Sequence, residues 1–333
     1  MRRIPALIGV VAIVSAALAG CAGAPDLGGC TPVHGSGDAS STVTAAGKVG
    51  SQPSVDFPTP LIAESAQVST IHAGSGSRIQ AGQQVDFEFT AYDGRDGQKL
   101  SATGTNYDGV TPARAEAGQD DSAITEALTC AQVGERLAVV TTAADALGES
   151  GASSNNVSPK STVVIVVDIV AAYLGKADGI NQLPLDGMPN VVTAVDGQPA
   201  VSVLLQSPPQ TTRFSTIKAG GGTVLKAGDR AVVHFSGWSW AAGASPALSD
   251  FASTWTSHSA RTLPLEKLRD TNFDGVPDAG IPAGIVDGLV GQKVGSQVLI
   301  VIPPGKDGFP QGTQGLPDGT TVIFVIDILG IQK

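Results

Sequence analysis

Aromatic side chains are scarce in this sequence: 3 Trp, 3 Tyr and 9 Phe among 333 residues. Each is worth locating, because one large ring dominates whatever core or pocket it enters. Charge is scarce too, at 15% of residues, and its balance is negative, −10 overall. That excess speaks against a nucleic-acid partner and against a basic patch for anionic membranes. The four histidines, His34, His72, His234 and His258, and the three cysteines show no metal-ligand spacing. No nucleophile elbow, phosphate loop or paired-cysteine zinc motif is present. The clusters AGSGS and AGGGT are turns between strands, since no helical pattern follows either. What is abundant is glycine, 42 residues, and proline, 21, beside an apolar fraction of 42%. Such a chain buries a core easily and turns often, which suits strands better than helices. Its length favours two domains.

The N-terminus has an export pattern. Arg2 and Arg3 precede the apolar stretch IPALIGVVAIVSAALAG, and Cys21 follows. A basic head, a short apolar core and small residues before the cut describe a signal peptide over residues 1–20, too short for a good membrane span. The segment LAGC at Leu18–Cys21 resembles the bacterial lipobox, in which the cysteine takes a diacylglycerol and becomes the first residue. The expected location is therefore extracytoplasmic, anchored to the membrane through lipidated Cys21, with acyl chains sufficient for stable attachment. Residues 21–42 read as a Gly/Ser/Thr/Ala-rich tether. With Cys21 acylated, Cys30 and Cys130 form an even pair in an oxidising compartment. A disulfide between them is expected; two free thiols are the alternative.

The main body repeats itself. STIHAGSGSRIQAG at Ser69–Gly82 matches STIKAGGGTVLKAG at Ser215–Gly228 in eight of fourteen positions. AQVGERLAVVTTA matches QKVGSQVLIVIPP, and STVVIVVDIV matches TTVIFVIDIL, in the same order. The period is far longer than that of solenoids, so the chain contains two copies of one domain. Residues 43–175 form the first, residues 176–190 a linker and residues 191–333 the second. Each copy reads as strands joined by glycine turns with one short helix, SAITEALTC in the first and AGIVDGLVG in the second. The expected class is α+β, an antiparallel sheet with one face covered by a helix.

The landmarks VLKAGDRAVVHFSGW, DFASTW, IPAGIVDGLVGQKVGSQVLIVIPP and LPDGTTVIFVIDILGI make the second copy, roughly Pro209 to Lys333, similar to the FKBP-type peptidyl-prolyl cis-trans isomerases. The first copy looks like a diverged member. The resemblance implies two FKBP-like domains, each a half-wrapped antiparallel β-sheet around one short α-helix. It also implies a proline pocket between sheet and helix, and no required cofactor. By it, Phe235, Phe251, Phe309 and Phe324 fall on pocket aromatics, with Ile281 and Leu316 beside them. The strand ending in Pro303-Pro304 would turn the chain out of the sheet so that Phe309 hangs over the pocket.

Departures from the pattern are as informative. Ala252 stands where the family has an acid, with Asp250 the only nearby substitute. Ile285 replaces the pocket-floor tryptophan. Pro282 has no N–H to donate to a bound carbonyl. Phe235 and Phe309 lack the usual tyrosine hydroxyls. In the first copy Phe89 is retained, but Ile165 replaces the last aromatic and TAADALGES carries no aromatic loop; that copy reads as structural or binding. Separately, DTNFDGVPD fits the front of a calcium loop, with Asp270, Asn272, Asp274, Val276 and Asp278 as ligands. The twelfth position is Ile281, so only weak calcium binding is expected, and an acidic turn is the other reading. The expected activity is isomerisation of proline-containing exported polypeptides. A catalytically weak peptide-binding scaffold, favoured by Ala252, Pro282 and Ile285, is the alternative.

Overall fold

A computed structural model describes residues 30–203, 207–241, 248–269, 279–305, 307–309 and 319–333, with the side chains of residues 102 and 103 left out. Cys21 with the rest of residues 1–29, the calcium-loop residues Asp270, Asn272, Asp274, Val276 and Asp278, and Leu316 lie outside the described residues. Cys30 and Cys130 are both disulfide-bonded. Residues from Pro32 to Lys333 form one compact unit.

The elements of the first half are α1 (Asp38–Ser41), β1 (Thr44–Ala46), β2 (Ser54–Asp56), β3 (Gln67–His72), β4 (Gln84–Asp93), β5 (Lys99–Gly104), β6 (Ala113–Glu116), α2 (Ala123–Leu128), β7 (Arg136–Thr142), α3 (Ala143–Ser154) and β8 (Thr162–Tyr173). Those of the second half are β9 (Ile180–Asn181), β10 (Asn190–Thr193), β11 (Pro199–Ser202), β12 (Arg213–Ala219), β13 (Arg230–Trp240), β14 (Leu248–Ser253), β15 (Arg261–Pro264), α4 (Ala283–Leu289), β16 (Gln297–Ile302) and β17 (Thr321–Gln332). Strands dominate. The first sheet runs β3-β7-β8-β4-β5, with β6 also on β4. The second runs β14-β13-β17-β16-β12-β9, with β15 also on β13. All pairings are antiparallel, and β3-β7-β8-β4 has the same order as β12-β16-β17-β13. The sequence repeat is thus a repeat of topology.

Both sheets are covered on two faces, where the sequence pointed to one. In β17 the inward residues Val322, Phe324, Ile326 and Ile328 join a core with Ile285 and Leu289 of α4. The outward Ile323 and Val325 pack with Trp238, Trp240, Met188, and Val191 and Val201 of the hairpin β10–β11. The first sheet is built alike: Val163, Ile165, Val167 and Ile169 face inward, while Val164 and Val166 pack with Ala45, Val55 and Phe57 around the hairpin β1–β2. This explains why β8 and β17 read as unbroken apolar runs: alternation disappears when neither face meets water. Among the described residues, parts of the segments assigned to tether and linker are consequently structured. Gln67 Oε1 accepts the N–H groups of Ala39 and Ser40 in α1. Ala177 N–H donates to Asp327, and β9 pairs with β12.

The first half also departs from the expected single helix. After β7 the segment read as a loop forms α3, capped by Thr142, whose hydroxyl accepts the N–H of Asp145. Gly148, with φ +69°, kinks it. Ala143, Ala146, Leu147 and Ala152 of α3 reach the core that contains Phe87 and Phe89.

A polar pair sits at one register in both sheets. In the first, Arg136 and Asp168 face each other across β7 and β8 in a bidentate ion pair of 2.6 and 2.7 Å. The guanidinium also donates to the carbonyls of Gly47, Lys48 and Ser51 in the β1–β2 turn. In the second, Gln297 faces Asp327, donating to Oδ1 at 2.8 Å while Ala177 N–H donates to Oδ2 at 2.8 Å. Without a cation in direct contact, burial pushes the Asp327 carboxyl up to about 6. A folded-state value above the unfolded 3.8 means that the folded protein holds the proton more tightly. Stability from this group is therefore greatest at low pH and is lost as pH rises through about 4 to 6, by an order of 3 kcal/mol at most. Asp327→Asn removes the titration, but its amide nitrogen cannot accept the second N–H, so it also loses one hydrogen bond at every pH. In denaturant titrations the wild type's margin over the variant should be larger at pH 4 than at pH 7.5; a constant difference between the two pH values would refute the assignment.

A candidate apolar pocket in the second sheet

The described residues enclose a cavity of about 210 Å³ lined by Phe235, Phe251, Ala252, Leu263, Ile281, Pro282, Ile285, Phe309, Phe324 and Ile326. No polar side chain lines it. Its centre is Phe324, almost fully buried in β17. Phe235 of β13 meets it edge-on at 6.0 Å between ring centroids, and Phe251 of β14 at 5.5 Å. Phe309, in the segment after β16, lies tilted at 5.8 Å. Ile281, Pro282 and Ile285 come from the start of α4, so the cavity lies where the sheet runs past the helix end.

Local backbone features set each wall. Gly237 pairs with Ala252 and Trp238 with Asp250, which leaves Phe251 as the bulged residue between them. A bulge re-aims side chains, and here both Phe251 and Ala252 face the cavity. Gly237 allows this packing. A Cβ there would lie 2.8 Å from Phe324 Cε1 and 2.9 Å from Phe251 Cζ. The Phe309 segment is tied down by Gly284 N–H donating to Asp307 O at 2.9 Å. Gly284 and Gly288 let the neighbouring side chains of β16 approach the helix backbone.

Six of the seven pocket residues read from the sequence thus converge: Phe235, Phe251, Ile281, Ile285, Phe309 and Phe324. The seventh, Leu316, lies outside the described residues. Leu263 and Ile326 were missed. Ile326 could have been found two residues beyond Phe324 on the same strand face; Leu263, on the short strand β15, has no comparable signal. Asp250 does not replace the missing acid, because it is exposed and is not part of the cavity wall. The rim is poor in donors as well: Ile281 N–H is already bonded to Glu266 O at 2.9 Å, and Pro282 has none. Among the described residues no group of three His, Cys, Asp or Glu side chains is arranged to hold a metal ion, and no helix is long and apolar enough to cross a membrane.

The result is an apolar cavity walled by four phenylalanines and set between an antiparallel sheet and a short helix. No family model matches the chain. A stretch of 132 residues, 40% of the chain, is 26% identical to a protein of Corynebacterium glutamicum described as a probable FK506-binding protein, of which it covers 97%. Among solved structures, the three FKBP domains of wheat FKBP73 align with 80% of this chain and 94% of theirs, at 13% identity and a TM-score of 0.32. A peptidyl-prolyl cis-trans isomerase of Pseudomonas syringae aligns over 32% of this chain and 74% of its own, at 19% identity and a TM-score of 0.27. Part of the chain is thus similar to a probable FK506-binding protein, the type that the landmarks of its second copy resemble.

Gly237→Ala tests the packing of the wall. The added methyl group must displace Phe251 or Phe324, so a stability loss of about 1–3 kcal/mol is expected. Denaturant unfolding at pH 7 measures it, and unchanged stability would mean that the rings have room the geometry denies them.

Proposed function

We propose that this chain is a peptidyl-prolyl cis-trans isomerase whose site is the Phe324 cavity, acting on proline-containing polypeptides outside the cytoplasm from a lipid anchor at Cys21. The observation that carries the reading is the convergence of Phe235, Phe251 and Phe309 on Phe324. An X–Pro bond isomerises slowly, over tens to hundreds of seconds, because rotation breaks an amide resonance worth about 18–20 kcal/mol of barrier. No nucleophile, metal or cofactor is needed to speed it. A wall of rings grips the pyrrolidine, removes water from the amide and so favours the twisted form, whose carbonyl and nitrogen have lost their resonance. Phenylalanine suits the task because it offers area without a polar group that would have to stay hydrated.

The same geometry supports a second reading, a peptide-binding scaffold with little rate. Hydrophobic grip is felt about equally by planar and twisted amides, so by itself it supplies binding rather than acceleration. Groups that could follow the rotating carbonyl are missing: Ala252 has no acid, Pro282 no N–H, and the Ile281 N–H is occupied. Each absent hydrogen bond of about 1 kcal/mol lowers the rate several-fold, and two or three together lower it about ten- to a hundredfold. In either reading the first half serves as a structural partner, since its Gln84, Arg114 and Tyr173 bond to or pack against the second.

Protease-coupled isomerisation of one X-Pro peptide by the full chain, with Phe324→Ala and with FK506 as competitor, decides between them. Activity that falls at least about tenfold in Phe324→Ala supports the enzyme. Peptide binding without acceleration supports the scaffold, and full activity in Phe324→Ala would move the site elsewhere. For the anchor, Cys21→Ser should release the chain from membranes or leave the precursor uncut. A variant that fractionates and migrates like wild type would remove the lipid from the account.

A further inference from the structure

Gln84 opens β4 of the first sheet, yet its side chain is fully buried against the second. Its Oε1 accepts the N–H of Ala260 at 3.1 Å, which fixes the amide orientation and leaves Nε2 as a pure donor. One Nε2 hydrogen is directed to His258 O at 3.1 Å; Glu116 Oε2 lies at 3.4 Å. The other faces His234 Nε2 at 3.2 Å. An amide nitrogen offers no lone pair, so the imidazole Nε2 must accept and the ring proton must sit on Nδ1. Nδ1–H then donates to Thr254 Oγ1 at 2.9 Å. Burial holds the ring neutral, with its value lowered to about 4, and Trp255 stacks on it at 4.4 Å.

The Thr254 hydroxyl is where this chain of bonds meets the pocket. Its oxygen also accepts the Phe235 N–H at 2.9 Å, and its hydrogen is directed to Phe235 O at 3.3 Å. Thr254 N–H donates to the same carbonyl at 3.0 Å. Phe235 is a wall of the cavity, and Thr254 follows β14, which carries Phe251 and Ala252. If the imidazole proton moved to Nε2, it would oppose the Gln84 amide hydrogen. Thr254 would then have to donate to Nδ1, giving up the Phe235 carbonyl.

We propose that Gln84 is a positioning residue for the cavity of the other sheet: by selecting the Nδ1–H tautomer of His234, it sets the Thr254 hydroxyl that clamps the Phe235 backbone to the end of β14. The first copy thereby braces a site in the second. The inference rests on the cavity being the prolyl site.

The test uses the full chain with 15N-labelled histidine, at pH 7. Wild type should show His234 as a single neutral tautomer with the proton on Nδ1. In Gln84→Ala the Nε2–H form should appear, and KM for an X-Pro peptide should rise about threefold to tenfold with kcat within about twofold, the effect of one lost positioning bond. Thr262→Val is the control. It removes another bond between the halves, Arg114 Nη1 to Thr262 Oγ1 at 2.9 Å, and should keep the wild-type tautomer and KM. A wild-type His234 protonated on Nε2 overturns the assignment without any variant. So does wild-type KM in Gln84→Ala, or an equal rise in Thr262→Val with the tautomer unchanged. Absence of prolyl-peptide binding in wild type would fell the reading of the cavity and this role with it, whereas failure of the tautomer alone leaves that reading standing.

Discussion

Strands β8 and β17 hide both faces from water, and most of what surrounds them follows from that. Each apolar side chain buried there contributes about 1.5–3 kcal/mol, but only if something covers it. One cover comes from the helical segment that precedes β7 or β16. The other has to be supplied from upstream, and the hairpins β1–β2 and β10–β11 supply it. The polar side chains in these strands are held to the same requirement. Asp168 and Asp327 point to the outer side, and each binds upstream chain: Gly50 N–H to Asp168, Ala177 N–H to Asp327. The upstream segments are therefore held by hydrogen bonds to the sheet as well as by apolar contact, and each half folds as hairpin plus sheet.

The cavity is a place where inner cover is incomplete. Helix α4 begins at Ala283, and beyond its first turn the sheet still presents Phe324, Ile326 and Phe235. The bulged Phe251 and the Phe309 segment wall the gap without filling it. In the first copy the corresponding segment is built differently. Twelve mostly small and polar residues after β7 coil into α3, and Ala143, Ala146, Leu147 and Ala152 join the core that includes Phe87 and Phe89. Between its last two strands the same sheet order thus carries a ring in one copy and a helix that extends the core in the other.

These differences explain what could be read in advance. The repeat, the order of landmarks and six pocket residues were legible because they lie in strands and at the helix start, where spacing fixes direction. The hairpins were not, because three or four residues per strand give no periodicity, although Gln52-Pro53 and Gln198-Pro199 recur at the same offset as Ser69 and Ser215. Helix α3 was hidden by Gly148 and Gly151, which argue locally for a loop; packing against the core overrides that propensity. The role of Asp250 was open in sequence, since a neighbour of Phe251 can face either way. The bulge closed the question by giving the cavity to Phe251 and Ala252 and solvent to Asp250.

The contact between the halves is the part no motif announced, and its chemistry argues that the two copies are interdependent. Asp86 binds Arg114 in a bidentate pair of 2.6 and 2.9 Å and accepts the Tyr173 hydroxyl at 2.9 Å. Tyr173 in turn lies against Gly330, where a Cβ would come within 2.4 Å of its ring. Leu174 N–H donates to Leu329 O, and Tyr173, Val232, Ala260 and Leu329 share one apolar cluster. Buried polar groups are tolerated only when partnered, and here His234 and Gln84 find partners across the boundary. A first copy free to drift would leave them unpaired. Gln84, Asp86, Arg114 and Tyr173 place polar and aromatic groups of the first copy at that boundary, where each meets a residue of the second.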